Sequence, residues 1–303
     1  MFGATQIYLY IALLAWSMFG AVSVIEKFLL DKPINNAAVY TFYTGVFSAF
    51  TLVLFGPFAR VSSWPHVLFD LSCGVIFLIA QYCLYRAIMQ DDISRIIPIT
   101  GAMTPIFSLL IVNYGLHLGL SKPHYIAFAL LVLGTFMISY QHGKLAKKLT
   151  WPLLASFFLA VYYSLVKSAY TPFKENYAWV RAGSFIAALV MFAVPEVRQA
   201  IRGTTSGIKA SKARNATSGL FISKEVIAGL AFIILNYAIT RGNPAVVNAL
   251  QGFEFAVILV LVIIISNYRP DILKENSSRG LLLQKFLAIF ILVAGLAIFE
   301  IYH

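Results

Sequence analysis

Runs of apolar residues, each about 20 residues long, follow one another along almost the whole of this 303-residue chain. They lie at about 6–30, 37–58, 66–89, 93–116, 123–140, 151–171, 177–195, 222–241, 244–265 and 281–301. A helix of about 20 apolar residues is long enough to cross the hydrocarbon core of a bilayer. Since most connections are short, the sequence predicts an all-α membrane protein whose ten transmembrane helices alternate in direction.

The composition indicates lipid rather than water as the main solvent. Apolar residues make up 60% of the chain and charged residues 12%, whereas roughly a quarter of a soluble domain is charged. The net charge of +11 could point to nucleic acid in a soluble protein. Basic residues also collect in the cytoplasmic loops of membrane proteins, which explains the charge here. We therefore expect the lipid bilayer, and no nucleic acid, as a partner.

Two segments outside the predicted membrane core carry their own expectations. The first ten residues lack the basic stretch of a signal peptide, so the first apolar run is expected to be a retained helix. The longest connection runs from Glu196 to Lys224 and mixes basic residues with Gly, Ser and Thr. Its composition predicts a flexible, solvated loop.

The chain contains a weak internal repeat. A shift of 151 residues aligns 85–107 with 236–258 without a gap and brings Gly101 onto Gly252. A shift of 161 residues aligns the fifth run with the tenth and brings Gly134 onto Gly295. The order of elements repeats as well, which predicts two five-helix repeats at 1–142 and 143–303. Because five is odd, the second repeat would be inverted, as in many transporters with a site between the halves.

Glu254 is the clearest ionisable residue within a predicted membrane helix. An ionisable group at that depth indicates function by default. Asn248 and Gln251 precede it at three-residue spacing and share roughly one face of the ninth run. The stripe would bind substrate or a proton in a cavity between the repeats. The alternative is a hydrogen-bond network between helices, with Glu254 paired to Lys167.

Polar and aromatic residues of other runs complete the predicted substrate site. Lys167 lies near enough to a helix end to extend its amine to the interface instead. Trp16 lies deeper than the usual interfacial belt and could equally be a packing residue. Thr100 aligns with Gln251 in the repeat and could bond only its own backbone. The remaining predicted site residues are Tyr163, Tyr82 and Asn236.

The sequence contains no set of residues in a pattern typical of catalysis. Its five histidines are scattered, and no metal-ligand spacing or phosphate-binding loop is present. We therefore expect no enzyme activity, no catalytic residue, no metal site and no cofactor.

Several motifs resemble those of the drug/metabolite transporter superfamily, of the EamA-like ten-helix type. Residues 16–27 read WSMFGAVSVIEK, similar to that family's tryptophan start followed by an acidic residue and lysine. Residues 87–107, AIMQDDISRIIPITGAMTPIF, resemble its helix 3–4 signature, and 248–255, 270–275 and 284–290 fit its second half. The segment 116–123 departs from the family, because it lacks the acidic residue that ends helix 4 in many members.

The charge distribution and the family resemblance predict opposite orientations in the membrane. Most of the 23 lysines and arginines lie in or beside connections 1–2, 3–4, 5–6, 7–8 and 9–10. The positive-inside rule therefore places both termini outside the cytoplasm. The resemblance implies cytoplasmic termini, as in many relatives. The charge distribution decides our expectation for this chain.

These observations predict a multi-pass transporter of the plasma (inner) membrane, resembling amino-acid or metabolite exporters. It would move a small polar solute by alternating access as a monomer or homodimer, with Glu254 carrying a coupling proton or contacting the solute. The alternatives are an uncoupled facilitator or exchanger, an intramembrane enzyme acting on lipids, and a scaffold or receptor.

Overall fold

A computed structural model describes residues 7–30, 36–90, 93–115, 117, 120–139, 149–169, 172–209, 214–268 and 279–301. The described chain is helical and contains no strand, which confirms the all-α prediction for those residues. In order, the helices are α1 (Ile7–Leu30), α2 (Ala37–Phe55), α3 (Trp64–Ile88), α4 (Ile93–Tyr114), α5 (Lys122–Ser139), α6 (Thr150–Ala169), α7 (Phe173–Ala193), α8 (Pro195–Lys209), α9 (Arg214–Arg241), α10 (Pro244–Ala249), α11 (Gly252–Tyr268) and α12 (Arg279–Ile301). The predicted repeat boundary at 142/143 lies outside the described residues.

Five helical segments are long and apolar enough to cross a membrane. They are Ile7–Ile25, Ala37–Phe58, Trp64–Ile88, Phe173–Ala193 and Ile222–Arg241. Large apolar side chains also cover the outer surface, with Val53 75% and Phe290 72% exposed. Such a surface is unfavourable in water and suits contact with lipid tails. The fold is therefore that of a helical membrane protein.

Packing between helices of the N-terminal and C-terminal parts of the chain holds the bundle together. α5 packs on α12, α2 on α7, and α4 on α6 and α10, while α1 packs on α9 and α11. α3 fills the space against α6 and α7. Small residues allow the close approaches: a Cβ atom on Gly134 would lie 2.8 Å from Leu292, and one on Gly295 would lie 3.1 Å from Leu131.

The bundle has two distinguishable ends. At one end α1, α3 and α7 finish and α2, α4 and α9 begin; we call it the basic end, because most lysines and arginines lie in its connections. Tyr40 of α2 meets Lys224 of α9 there. At the opposite end Phe55, the last residue of α2, packs on Phe173, the first residue of α7.

Helix α8 corrects the prediction of a flexible loop between Glu196 and Lys224. Pro195 and Glu196 occupy its first turn, where both residue types are favourable. Its buried Ile201 gives it an apolar side. The Arg198 guanidinium donates to the carbonyls of Phe192 and Ala193, each at 3.3 Å, and so caps the end of α7. Since α9 begins at residue 214, much of the predicted loop is helical.

The ninth predicted run is helical but broken at Leu250 and Gln251, between α10 and α11. The Gln251 N–H donates to the Asn248 carbonyl at 3.0 Å, three residues back, instead of to Val247 four residues back. The Val247 carbonyl accepts the Trp16 indole N–H at 2.8 Å. A side chain of α1 thus satisfies the backbone group that the break leaves open.

Candidate functional site

A cavity of about 390 Å³ lies in the bundle, with α1–α4 on one side and α6, α7, α9 and α11 on the other. Its wall uses the C-terminal halves of α2 and α3 and the N-terminal halves of α4 and α7, so it extends along the bundle toward both ends. Apolar side chains form most of the wall. Four charged residues interrupt it: Arg181, Lys224, Glu225 and Glu254.

Glu254 is held by two hydrogen-bond donors at the cavity wall. The Ser23 hydroxyl donates to its Oε1 at 2.8 Å, and the Gln251 amide donates to its Oε2 at 3.2 Å. Only 5% of Glu254 is exposed. Bonds from donors to a carboxylate stabilise the ionised form. The break between α10 and α11 places Gln251 in a turn immediately before this carboxylate.

Arg181 of α7 presents a buried cation to the same cavity. Its guanidinium lies 4.6 Å from the centroid of the Phe77 ring and 4.7 Å from that of Phe232. It also donates to the Tyr162 hydroxyl at 3.3 Å, which donates in turn to Asn236 at 3.0 Å. Aromatic faces stabilise a desolvated cation. The cavity therefore holds both an anion and a cation in low-dielectric surroundings.

Lys224 and Glu225 of α9 form an ion pair nearer the basic end. Lys224 Nζ lies 2.7 Å from Glu225 Oε1 and donates to the Tyr40 hydroxyl of α2 at 2.9 Å. The Lys224 side chain is 2% exposed and that of Glu225 is 8% exposed. This cluster joins α2 to α9 across one side of the cavity.

Two helix pairs on opposite sides of the cavity differ in how closely they pack. α3 and α7 touch through backbone: a Cβ atom on Gly74 would meet the Val180 carbonyl, and the Ser184 hydroxyl donates to the Gly74 carbonyl at 3.0 Å. α2 and α9 make far less contact. Phe50 of α2 and Val226 of α9 line the cavity yet are 67% and 56% exposed. The cavity therefore reaches the outer surface between α2 and α9.

Five of the predicted site residues lie at the cavity wall: Glu254, Gln251, Tyr163, Trp16 and Thr100. The Thr100 hydroxyl donates to backbone carbonyls of its own helix, at Ile96 and Ile97. The Tyr163 side chain is buried, with its ring 5.2 Å from that of Tyr162. Trp16 borders the cavity while its indole nitrogen bonds to Val247.

The other four predicted site residues lie away from the wall. The Asn248 amide donates to Ser108 at 2.8 Å, and Asn236 is fully buried behind Tyr162. Tyr82 packs edge-on against Trp151. The Lys167 amine donates to the Thr240 carbonyl at 2.9 Å, near the ends of both helices. The suggested pairing of Lys167 with Glu254 is therefore wrong.

Three charged residues of the cavity wall were not predicted from the sequence. Arg181 lies within the seventh apolar run. Like Glu254, it is an ionisable residue in a predicted membrane helix, and the same reasoning would have identified it. Lys224 and Glu225 stand near the beginning of the eighth run, where sequence alone suggests an interfacial position. Their burial depends on Tyr40, a residue far away in the sequence.

No group of three or more His, Cys, Asp or Glu residues arranged to hold a metal ion occurs in the described ranges. The two cysteines, Cys73 and Cys83, are buried and free. What the cavity offers is buried carboxylates, buried cations and aromatic walls, an arrangement suited to binding a small solute.

Comparison with known proteins shows the fold alone. No protein-family model and no curated protein sequence matches this chain. A crystal structure of another protein aligns over 97% of this chain and 96% of its own, with a TM-score of 0.62 and 14% identity. The two chains therefore share one fold along nearly their full lengths.

Proposed function

We propose that this protein is a secondary transporter that moves a small polar solute across a membrane by alternating access. The observation that carries the proposal is the cavity, in which Glu254 and Arg181 present opposite charges between the N-terminal and C-terminal groups of helices. A solute with polar or charged groups would replace its water shell with these side chains. The aromatic walls would contact its apolar part.

Several helix contacts have a counterpart at the corresponding positions of the other repeat, which supports ten membrane spans in two inverted repeats. Under the proposed correspondence α1 matches α6 and α3 matches α9, so the packing of α3 on α6 corresponds to that of α1 on α9. A Cβ atom on Gly134 would meet Leu292 and the Ala288 carbonyl, and one on Gly295 would meet Leu131 and the Ala127 carbonyl. The shift of 161 residues relates every member of these two sets.

The difference between two corresponding helix pairs supports alternating access. Under the same correspondence the tight α3–α7 contact matches the looser α2–α9 contact. In an inverted repeat, the tight packing would close one pathway to the cavity and the looser packing would leave the other one open. Exchanging the two arrangements would expose the cavity on the other side of the membrane.

The EamA-like type of the drug/metabolite transporter superfamily fits these features, and we propose membership on the motifs of residues 16–27 and 87–107. A ten-span protein of this type would be a multi-pass protein of the plasma membrane and an exporter. The charge distribution would place the basic end in the cytoplasm. A monomer contains the whole cavity.

Binding and transport by purified protein test the proposal. We expect a thermal-shift screen to find a stabilising metabolite that proteoliposomes take up. Glu254→Gln should weaken its binding at least tenfold, because the carboxylate contacts the solute or its proton. Glu175→Gln, which changes a carboxylate paired with Arg60 at the surface, is the matched control.

The outcomes separate the proposal from its alternatives. Uptake that needs no pH gradient, and that stays the same when an imposed pH gradient is collapsed, would indicate a facilitator or exchanger. Glu254 would then only shape the site. Normal transport by Glu254→Gln at every pH would remove both roles of this carboxylate. Turnover of a lipid, or binding of a protein partner without any solute, would overturn transport itself.

A further inference from the structure

Asp70 is a buried carboxylic acid that lies outside the cavity. It is in α3, one turn before Gly74, and only 1% of its surface is exposed. Neither carboxylate oxygen has a hydrogen-bond partner among the residues that the structure describes. An ionised carboxylate without water or partners is strongly disfavoured in a protein interior.

The tight contact between α3 and α7 begins next to Asp70 in the sequence of α3. Leu71, its neighbour, lies with its backbone against Gly183, so closely that a side chain on Gly183 would collide with it. One turn further, Gly74 meets Val180 and Ser184 in the same way. Since α3 begins at the opposite end, Asp70 lies between that end and this packing.

Most titratable groups of α3 and of the helices packed on it are engaged with other partners. On α3, His66 contacts the Asn176 amide, while Cys73, one turn away, is a buried thiol. Among the described residues, the cations of α6 and α7 are Lys167, bonded to the Thr240 carbonyl, Lys174, whose amine lies over the Phe58 ring, and Arg181, bonded to Tyr162. The Glu175 carboxylate of α7 pairs with Arg60. The tyrosines of these helices are Tyr162, Tyr163 and Tyr177, and α2 contributes Tyr40 and Tyr43 toward the basic end.

We propose that Asp70 is a proton-binding site that carries its proton while α3 and α7 are packed together and releases it to water when they separate. The inference rests on the proposed alternating access, which requires that separation. The step is a simple ionisation: the acid loses H⁺ to water at the opposite end, and the carboxylate regains H⁺ before the helices close. No redox partner is needed.

The position of Asp70 makes it a pH-dependent switch rather than a coupling site. It does not line the cavity and lies within the first two turns of α3, so its proton would enter and leave at the opposite end. Each cycle then moves no net proton across the membrane. Low pH at that end favours the closed α3–α7 contact and high pH favours the separated one. One proton changes the ratio of the two conformations by up to tenfold per pH unit.

Infrared spectroscopy and transport together test this role. In wild-type protein at neutral pH we expect the carbonyl stretch of a protonated carboxylic acid. Asp70→Asn, which keeps the size and neutrality of the side chain, should remove that band. Uptake into proteoliposomes should depend on the pH at the opposite end in the wild type, and Asp70→Asn should abolish that dependence. Glu175→Gln is the control that keeps both signals.

Each result supports or overturns the inference. If Asp70→Asn does not fold, aspartate carrying ¹³C in its carboxyl group should shift the band of the wild type, which assigns the band to an aspartate. Among the described residues, Asp70 is the aspartate that is buried. A band that neither substitution nor isotope changes overturns the proton site, whether or not the protein transports. An Asp70→Asn protein with wild-type pH dependence overturns the switch while leaving transport intact. A protonated Asp70 in a protein that moves no solute counts against the proposed function instead.

Discussion

Lys224 and Glu225 show how much a single buried side chain can depend on its neighbour. Removing one member of a buried ion pair leaves the other charge without compensation, which costs about 3–5 kcal/mol. We therefore expect Lys224→Met to lower the thermal stability of the detergent-solubilised protein strongly. The double variant Lys224→Met/Glu225→Leu should recover most of the loss, because neither charge remains. A double variant as unstable as the single one would contradict the pairing.

Trp16 provides a second test at the scale of one residue. Its indole N–H satisfies the Val247 carbonyl at the break between α10 and α11. Trp16→Phe leaves that carbonyl without its donor, at an expected cost of about 1–3 kcal/mol in the free energy of unfolding. Trp179→Phe is the matched control, because Trp179 bonds the Arg60 carbonyl at an exposed site where water can replace it. Equal losses in the two variants would contradict the structural role of Trp16.

At the scale of helices, close backbone packing determines the stability of the α3–α7 pair. Gly74→Ala would press a methyl group against the Val180 carbonyl, and the helices would have to separate. Overpacking of this kind costs about 1–3 kcal/mol. Gly229→Ala, in a helical position with open space around it, should instead stabilise α9 by up to about 1 kcal/mol. Thermal unfolding of both variants checks the opposite signs.

At the scale of elements, hydropathy predicts the helices well and their details poorly. The apolar runs fall on helices because apolar length is a property of consecutive residues. Helix α8 escaped prediction because its Gly, Ser and Thr content suggests a loop, while its stability depends on Ile201 and on Arg198 at the end of α7. The break at Gln251 depends on a donor from α1, which the sequence of the ninth run does not contain.

The whole molecule should change shape if α2–α9 and α3–α7 exchange their packing. Spin labels at Phe50→Cys and Val226→Cys, in a variant without Cys73 and Cys83, would report the distance across the opening. We expect a transported solute to add a population with a shorter distance. Labels at Leu133→Cys and Val293→Cys on α5 and α12 are the control. These two helices correspond to each other in the repeat, so their packing should stay the same when the other helix pairs exchange theirs. A single unchanged distance across α2 and α9 in an actively transporting protein would contradict alternating access.

The cavity could be predicted only in part at this scale. Glu254 and Gln251 are conspicuous in the sequence because they are polar residues deep in an apolar run. The contribution of Arg181 depends on Phe77 and Phe232, which come from two other helices and surround it only in the folded bundle. Lys167 and Asn248 have equally polar side chains, but their partners hold them away from the cavity.

The outward-facing part of the cavity wall has a practical consequence for experiments. Phe50 and Val226 contact both the cavity and the surroundings of the bundle, so an acyl chain from the bilayer can lie where a solute's apolar part would bind. Lipids and detergents then become competitors as well as solvents. We expect the apparent affinity for a solute to fall as detergent chains lengthen and to differ between micelles and nanodiscs, and equilibrium binding measured in a detergent series would show it.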